Sequence, residues 1–156
     1  MADDTQATKG DHNLSVRDSG GEGRPVVLIH GWPLSGESWS AQTPALQEAG
    51  YRTVVYDRRG FGKSDPGDRY DYDALADDLD NVLSDLDLRD VTLVGFSMGG
   101  GEIARYLSRH GAQRIAKVAL VSSVVPYLLK GDSNPDGVDA SVFADMKSQI
   151  RKDRFA

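Results

Sequence analysis

Four short apolar runs dictate most of what this chain can fold into: VVLIH at 26–30, TVVYD at 53–57, VTLVG at 91–95 and KVALVSSVV at 117–125. Such continuous runs mark strands covered on both faces. Stretches with helical spacing separate them. Ser35 or Ser38 can cap a helix that runs to Ala49 and is stopped by Gly50. Asp71 or Asp73 can cap another, in which Leu75, Leu79, Val82, Leu83 and Leu86 share one face. Asp73, Asp77, Asp78 and Asp80 of that helix are expected on or near its exposed side, the early ones suiting the positive end of the dipole. Residues 98–110 form a third helix, closed by Gly111. Strand and helix in alternation predict an α/β fold with a mostly parallel sheet and helices on its faces.

The flanks are less regular. Residues 1–10 read as a loose tail or a poorly marked first strand, and Asn13–Asp18 as an edge strand. After Pro126 the pattern changes to a loop, YLLKGDSNPDG, and then to a weakly amphipathic helix over 140–154. The expected organisation is therefore a core over 1–125 and a separate region over 126–156. A chain of 156 residues is long enough to bury a real core. Its formal charge of −6 and pI near 4.9 give the wrong field for nucleic acid or an anionic membrane. No window approaches 18 apolar residues, and the polar start MADDTQATKGD lacks the features of a signal peptide, so a cytoplasmic location is expected. With no cysteine, disulfides, thiolate nucleophiles and cysteine-based metal sites drop out together.

The chemistry concentrates in LVGFSMGGGEIARY, 93–106. Gly95-Phe96-Ser97-Met98-Gly99 reads G-x-S-x-G, with an apolar strand before it and a helix after it. A serine on so sharp a strand-to-helix turn takes a strained backbone, and glycines on either side let neighbouring backbone approach. The helix start then favours negative charge at the serine oxygen. The alternative is a glycine-rich turn whose serine merely caps the helix. VVLIHGWP places Trp32 just after a strand ending in His-Gly, where its N–H can face the serine strand. Acyl transfer needs two such donors, for which Trp32 and Met98 are the candidates. His30 reads as a structural histidine bonded to its own loop. Trp39, Tyr51 and Tyr56 read as packing residues.

Taken in order, HGWPLSGESW, YDRRGFGKSD, GFSMGGGEIARY and VSSVVPYLLK with NPDG resemble the α/β-hydrolase superfamily, and within it the cofactor-free haloperoxidase and aryl-esterase (perhydrolase) branch. The resemblance implies a serine hydrolase acting on small carboxylic esters through an acyl-enzyme, with peracid formation and halide oxidation as related activities and no cofactor. By position it implies Ser97 as nucleophile and the Trp32 and Met98 backbones as the oxyanion hole. Trp32 and Phe96 would line the acyl pocket, with His30, Gly31, Gly95 and Gly99 shaping the site. Asp57 to Ser64 would be a structural loop nearby, and residues from Pro126 the start of a helical cap.

The implied triad runs Ser, Asp, His, with the last two after strands that these residues do not contain. His12, His30 and His110 are the only histidines. His110 lies on the helix that Ser97 opens, about 20 Å away. The expectation is a hydrolase core truncated before its last strands and most of its cap. Residues 117–125 would then be an exposed edge, open to a homo-oligomer or strand pairing between chains. A catalytically silent fragment, an interaction module, or a half completed by a C-terminal segment are the alternatives. Two decoys fall away. Gly62-Lys63-Ser64 has Asp57 where a phosphate loop needs glycine, and the Asp132–Gly137 stretch lacks the glutamate that completes a calcium loop. No histidine pair has zinc spacing, so no metal is expected.

Overall fold

The structure, a computed structural model, describes residues 3–7 (main chain only), 13–125 and 127–153. It divides into two units, 1–123 and 124–156.

In the first unit a six-stranded sheet is built from β1 (Asp3–Ala7), β2 (Leu14–Asp18), β3 (Pro25–Ile29), β4 (Arg52–Tyr56), β5 (Val91–Phe96) and β6 (Ile115–Val121), in spatial order β1-β2-β4-β3-β5-β6. β4, β3, β5 and β6 are parallel, while β2 runs antiparallel to β4 and β1 to β2. Period-two alternation sends β3 to two cores. Val27 and Ile29 pack under α2 (Tyr72–Asp85) and α3 (Met98–His110), with Leu79, Val82, Leu83, Ile103 and Tyr106. Val26 and Leu28 pack on the other face with Trp39, Val55 and Leu46 of α1 (Gln42–Glu48). The chain therefore has the expected mostly parallel sheet with helices on both faces. In the second unit, α4 (Ala140–Lys152) is capped by Asp139, which accepts from the Ser141 N–H.

Several expectations need correction. Asn13–Asp18 is not an edge: β2 lies between β1 and β4, because residues 3–7 supply a further strand. The helix expected to run to Ala49 is two pieces, a 3-10 turn over Gly36–Trp39 capped by Ser35, then α1. Pro44 has no N–H to give to Ser40 in a continuous helix, yet is tolerated in the first turn of a new one. β6 stops at Val121, because Ser122 takes a positive φ of 42°. Asp78 is buried rather than exposed, and Tyr51 is exposed rather than packed. Gly50, at φ +84°, ends α1 as expected.

Core and edge should differ sharply in a urea titration. Leu79→Ala, in the fully buried stripe of α2, is expected to cost about 2–5 kcal/mol. Leu120→Ala, 50% exposed on β6, should cost about 1 kcal/mol or less.

Candidate functional site

Ser97 sits between β5 and α3 with φ 52° and ψ −116°. Nothing local favours that conformation for a residue bearing a Cβ, so the surroundings must impose it. They do so through backbone. The Ser97 N–H donates to Val121 O at 3.0 Å, and the Gly100 N–H donates to Ser97 O at 3.1 Å. A Cβ on Gly95 would fall 2.7 Å from the Gly100 nitrogen and the Gly99 carbonyl. One on Gly99 would fall 2.6 Å from Ile29 O and 3.2 Å from His30 O. Both positions need glycine for close approach. Gly101 faces the Tyr72 ring on α2, where a Cβ would fall 2.6 Å from the ring.

Ser97 occupies the capping position of α3, yet its side chain makes no capping hydrogen bond. The first turn of α3 carries no acidic residue, so no side-chain charge offsets the positive helix end there. Met98 opens that turn. The loop after β3 comes against the same place: a Cβ on Gly31 would lie 2.9 Å from the Phe96 ring and 3.1 Å from Ser97 Cβ. His30, Gly31, Phe96, Ser97 and Gly99 are thus brought together. Trp32, the next residue along, is half exposed. Phe96 packs against the Val26–Leu28–Trp39–Val55 cluster.

The histidines divide clearly. His30 is fully buried and both ring nitrogens are engaged. Its Nδ1–H donates to Gly31 O at 2.8 Å, and its Nε2 accepts the Arg58 N–H at 3.0 Å. These partners fix the neutral, Nδ1-protonated ring. Burial, reinforced by the Arg58 charge, pulls its pKa down to about 4. With its acceptor nitrogen occupied, His30 has no lone pair for Ser97. His110 ends α3, where it donates to Asp77 at 2.8 Å and stacks on Tyr106. His12 lies outside the described residues.

Sequence reasoning missed the group that holds this arrangement. Arg58 and Glu102 form an ion pair with Nε to Oε2 at 2.7 Å, their side chains 1% and 0% exposed. Arg58 Nη2 also donates to His30 O at 2.5 Å, and Tyr56 OH donates to Glu102. Burial pushes the Glu102 carboxyl up, against the pull of Arg58. Arg59 grips the buried Asp78 with two bonds, at 2.6 and 2.7 Å. Asp57 accepts the Gly36 and Lys63 N–H groups at 2.7 and 2.9 Å. The Gly62-Lys63-Ser64 turn is therefore closed on an internal carboxylate that would repel a phosphate. Among the described residues no group of three or more His, Asp or Glu could hold a metal. Near Asp132, Gly131 and Asn134 exchange backbone bonds at 3.1 and 3.0 Å in a tight turn.

A sequence profile of the alpha/beta hydrolase fold matches residues 24–156. The chain belongs to the alpha/beta hydrolase family. Among its relatives, the non-heme chloroperoxidase CPO-A1 of Kitasatospora aureofaciens is 54% identical over 135 residues, 86% of this chain and 49% of that protein. A bifunctional esterase/perhydrolase of Acinetobacter calcoaceticus is 40% identical, across 94% of this chain and 54% of the relative. The crystal structure of a bromoperoxidase from Bacillus anthracis superposes with a TM-score of 0.89 at 49% identity, covering 99% of this chain and 56% of that one. This hydrolase chain spans about half the length of the curated relatives it matches. No helix among the described residues is long and apolar enough to cross a membrane.

The ion pair makes a direct prediction for this hydrolase fold. Glu102→Ala strands the buried Arg58 charge and should cost about 3–5 kcal/mol in chemical denaturation. Asp71→Ala removes an exposed cap from α2 and should cost only about 1 kcal/mol.

Proposed function

We propose that this chain carries the nucleophile and oxyanion donors of a serine carboxylester hydrolase, with perhydrolysis as a related activity. One observation carries the reading: a serine held at positive φ, at a helix start without acidic residues, whose hydroxyl is not spent on capping. That geometry offers nothing to a simple turn and suits an oxygen that must attack. In the proposed reaction Ser97 Oγ bonds to the ester carbonyl carbon as its proton passes to a base. The oxyanion accepts the Met98 and Trp32 backbone N–H groups, and the C–O bond to the alcohol then breaks. Water attacking the acyl-enzyme releases the acid and restores Ser97; hydrogen peroxide in its place releases a peracid. Trp32 and Phe96 flank the acyl group. The relative named an esterase/perhydrolase supports both branches.

The reading assigns no base within the described residues. His30 is locked, and His110 lies at the far end of a 13-residue helix, about 20 Å from Ser97. Loss of the catalytic histidine from such a site costs about 10⁶ in turnover, while binding and oxyanion donors leave roughly 10³ over water. That same observation favours the second reading, a silent domain that keeps the elbow geometry without turnover.

Excess p-nitrophenyl acetate followed by peptide mapping separates the two. Slow acetylation at Ser97, absent in Ser97→Ala, is the expected result. Acetyl found only on lysines, equally in both proteins, would assign the chain to the silent class.

A further inference from the structure

The pairing of β3 with β5 ends at Ile29 opposite Gly95. Trp32 and Met98 each stand three residues beyond that last pair, so the sheet ladder does not itself fix the distance between their N–H groups. Side chains must do so. On one side, Met98 opens α3, and Glu102 follows it by four residues, about one turn of a rigid helix. On the other, Trp32 follows His30 by two residues.

Arg58 joins the two sides. Its Nε donates to Glu102 Oε2 at 2.7 Å and its Nη2 to His30 O at 2.5 Å. A planar guanidinium holds its donors at a fixed angle, so the carboxylate on α3 and the carbonyl before Gly31 are set relative to each other. The Arg58 backbone N–H separately holds the His30 ring, through Nε2 at 3.0 Å. His30 Nδ1 then donates to Gly31 O at 2.8 Å, and Gly31 itself lies against Phe96 and Ser97. Stability alone gives no reason for ions here, because an apolar set of similar volume can fill such a site as well.

We propose that Arg58 and Glu102 are positioning residues of the oxyanion site, setting the spacing of the Trp32 and Met98 N–H groups so that both meet one oxygen. The proposal rests on the serine-hydrolase reading above. With side chains 1% and 0% exposed, neither residue reaches a substrate. They act through His30 O and through α3. The effect is confined to the step in which charge develops on the oxygen, where a donor displaced by about 1 Å costs about a hundredfold in rate. Replacing the Arg58 side chain leaves its backbone N–H in place and the His30 ring still held, so the loss reads the side-chain tie alone.

An apolar exchange tests this: Arg58→Met with Glu102→Leu removes both charges together, and Tyr56→Phe keeps the hydroxyl that bonds Glu102 from being stranded. Acetylation of Ser97 by p-nitrophenyl acetate is timed by peptide mass mapping over a range of reagent concentrations, beside circular dichroism and a urea titration. Expected is a folded protein whose limiting rate of Ser97 acetylation falls about a hundredfold at an unchanged half-saturating concentration. The Trp32 amide should move in the proton–nitrogen spectrum. Arg58→Lys keeps a charge beside Glu102 without the planar fork, and should fall in the same direction. Leu79→Ala, which weakens the same core but lies clear of the tie, should acetylate at the wild-type rate. Wild-type rates in a folded apolar or lysine variant overturn the proposal and leave the serine reading standing. An equal loss in Leu79→Ala, or a change confined to the half-saturating concentration, does the same. Unfolding of both the apolar and the lysine variant also overturns it, by making the pair purely structural. A wild-type chain that is never acetylated at Ser97 removes the serine reading and the positioning role together.

Discussion

A single buried ion pair, Arg58 with Glu102, fixes the relation between the parts of this molecule that matter for chemistry. Glu102 lies one turn into the helix that Ser97 opens, and Arg58 lies two residues past the end of β4, 44 residues earlier. Through its side chain and its backbone N–H, Arg58 holds both the carbonyl and the ring of His30. The helix that Ser97 opens and the loop that carries Trp32 are thus tied to one guanidinium. Taking both charges out of water costs several kcal/mol per ion, and an apolar replacement could be as stable. What the pair contributes here is register. Two apolar surfaces can slide against one another; an arginine with a carboxylate and a carbonyl as fixed partners cannot.

Around that pair, stability and strain are arranged in a definite order. The glycines at 95 and 99 let backbone meet backbone at distances no side chain permits. Asp57 and Arg59 brace the loop on either side of Arg58, one by accepting two backbone N–H groups, the other by gripping Asp78 on α2. The positive φ of Ser97 is the strained element, held by rigid neighbours on both sides. The frame is complete as a frame. Family membership rests on the matched profile and relatives, while turnover at Ser97 belongs to the proposal.

Most of the architecture was readable because it follows from periodicity. The four apolar runs became β3, β4, β5 and β6, and the 98–110 helix ends at Gly111 as its left-handed glycine requires. The elbow was readable because strand, glycine, serine and glycine occur in one short stretch. The buried charges were not. Asp78 continues the 75, 78, 79, 82 stripe of α2, so its spacing did carry the signal, and only its charge argued for solvent. Glu102 offered less: its burial depends on Arg58, a residue distant in sequence, and no local pattern announces such a pairing. The break between the 3-10 turn and α1 was available in Pro44, where one missing N–H outweighs a plausible cap upstream. Among the described residues the extra strand at 3–7 pairs only with β2, and its polar sequence DDTQA gave no apolar run to recognise.

His30 is a fixed structural element of the frame and not a base in waiting. Nitrogen-15 NMR of the imidazole rings across pH tests it directly, with His30→Asn used to assign the signal. Expected is a neutral, Nδ1-protonated ring that persists from neutral pH down to about 4. Because the unfolded ring takes its proton near 6.5, the fold should lose His30-dependent stability as pH falls from 6.5 through about 4, and keep it above. A His30 ring that titrates near 6.5, or one protonated at Nε2 instead, would contradict the account and return His30 to consideration as the partner of Ser97.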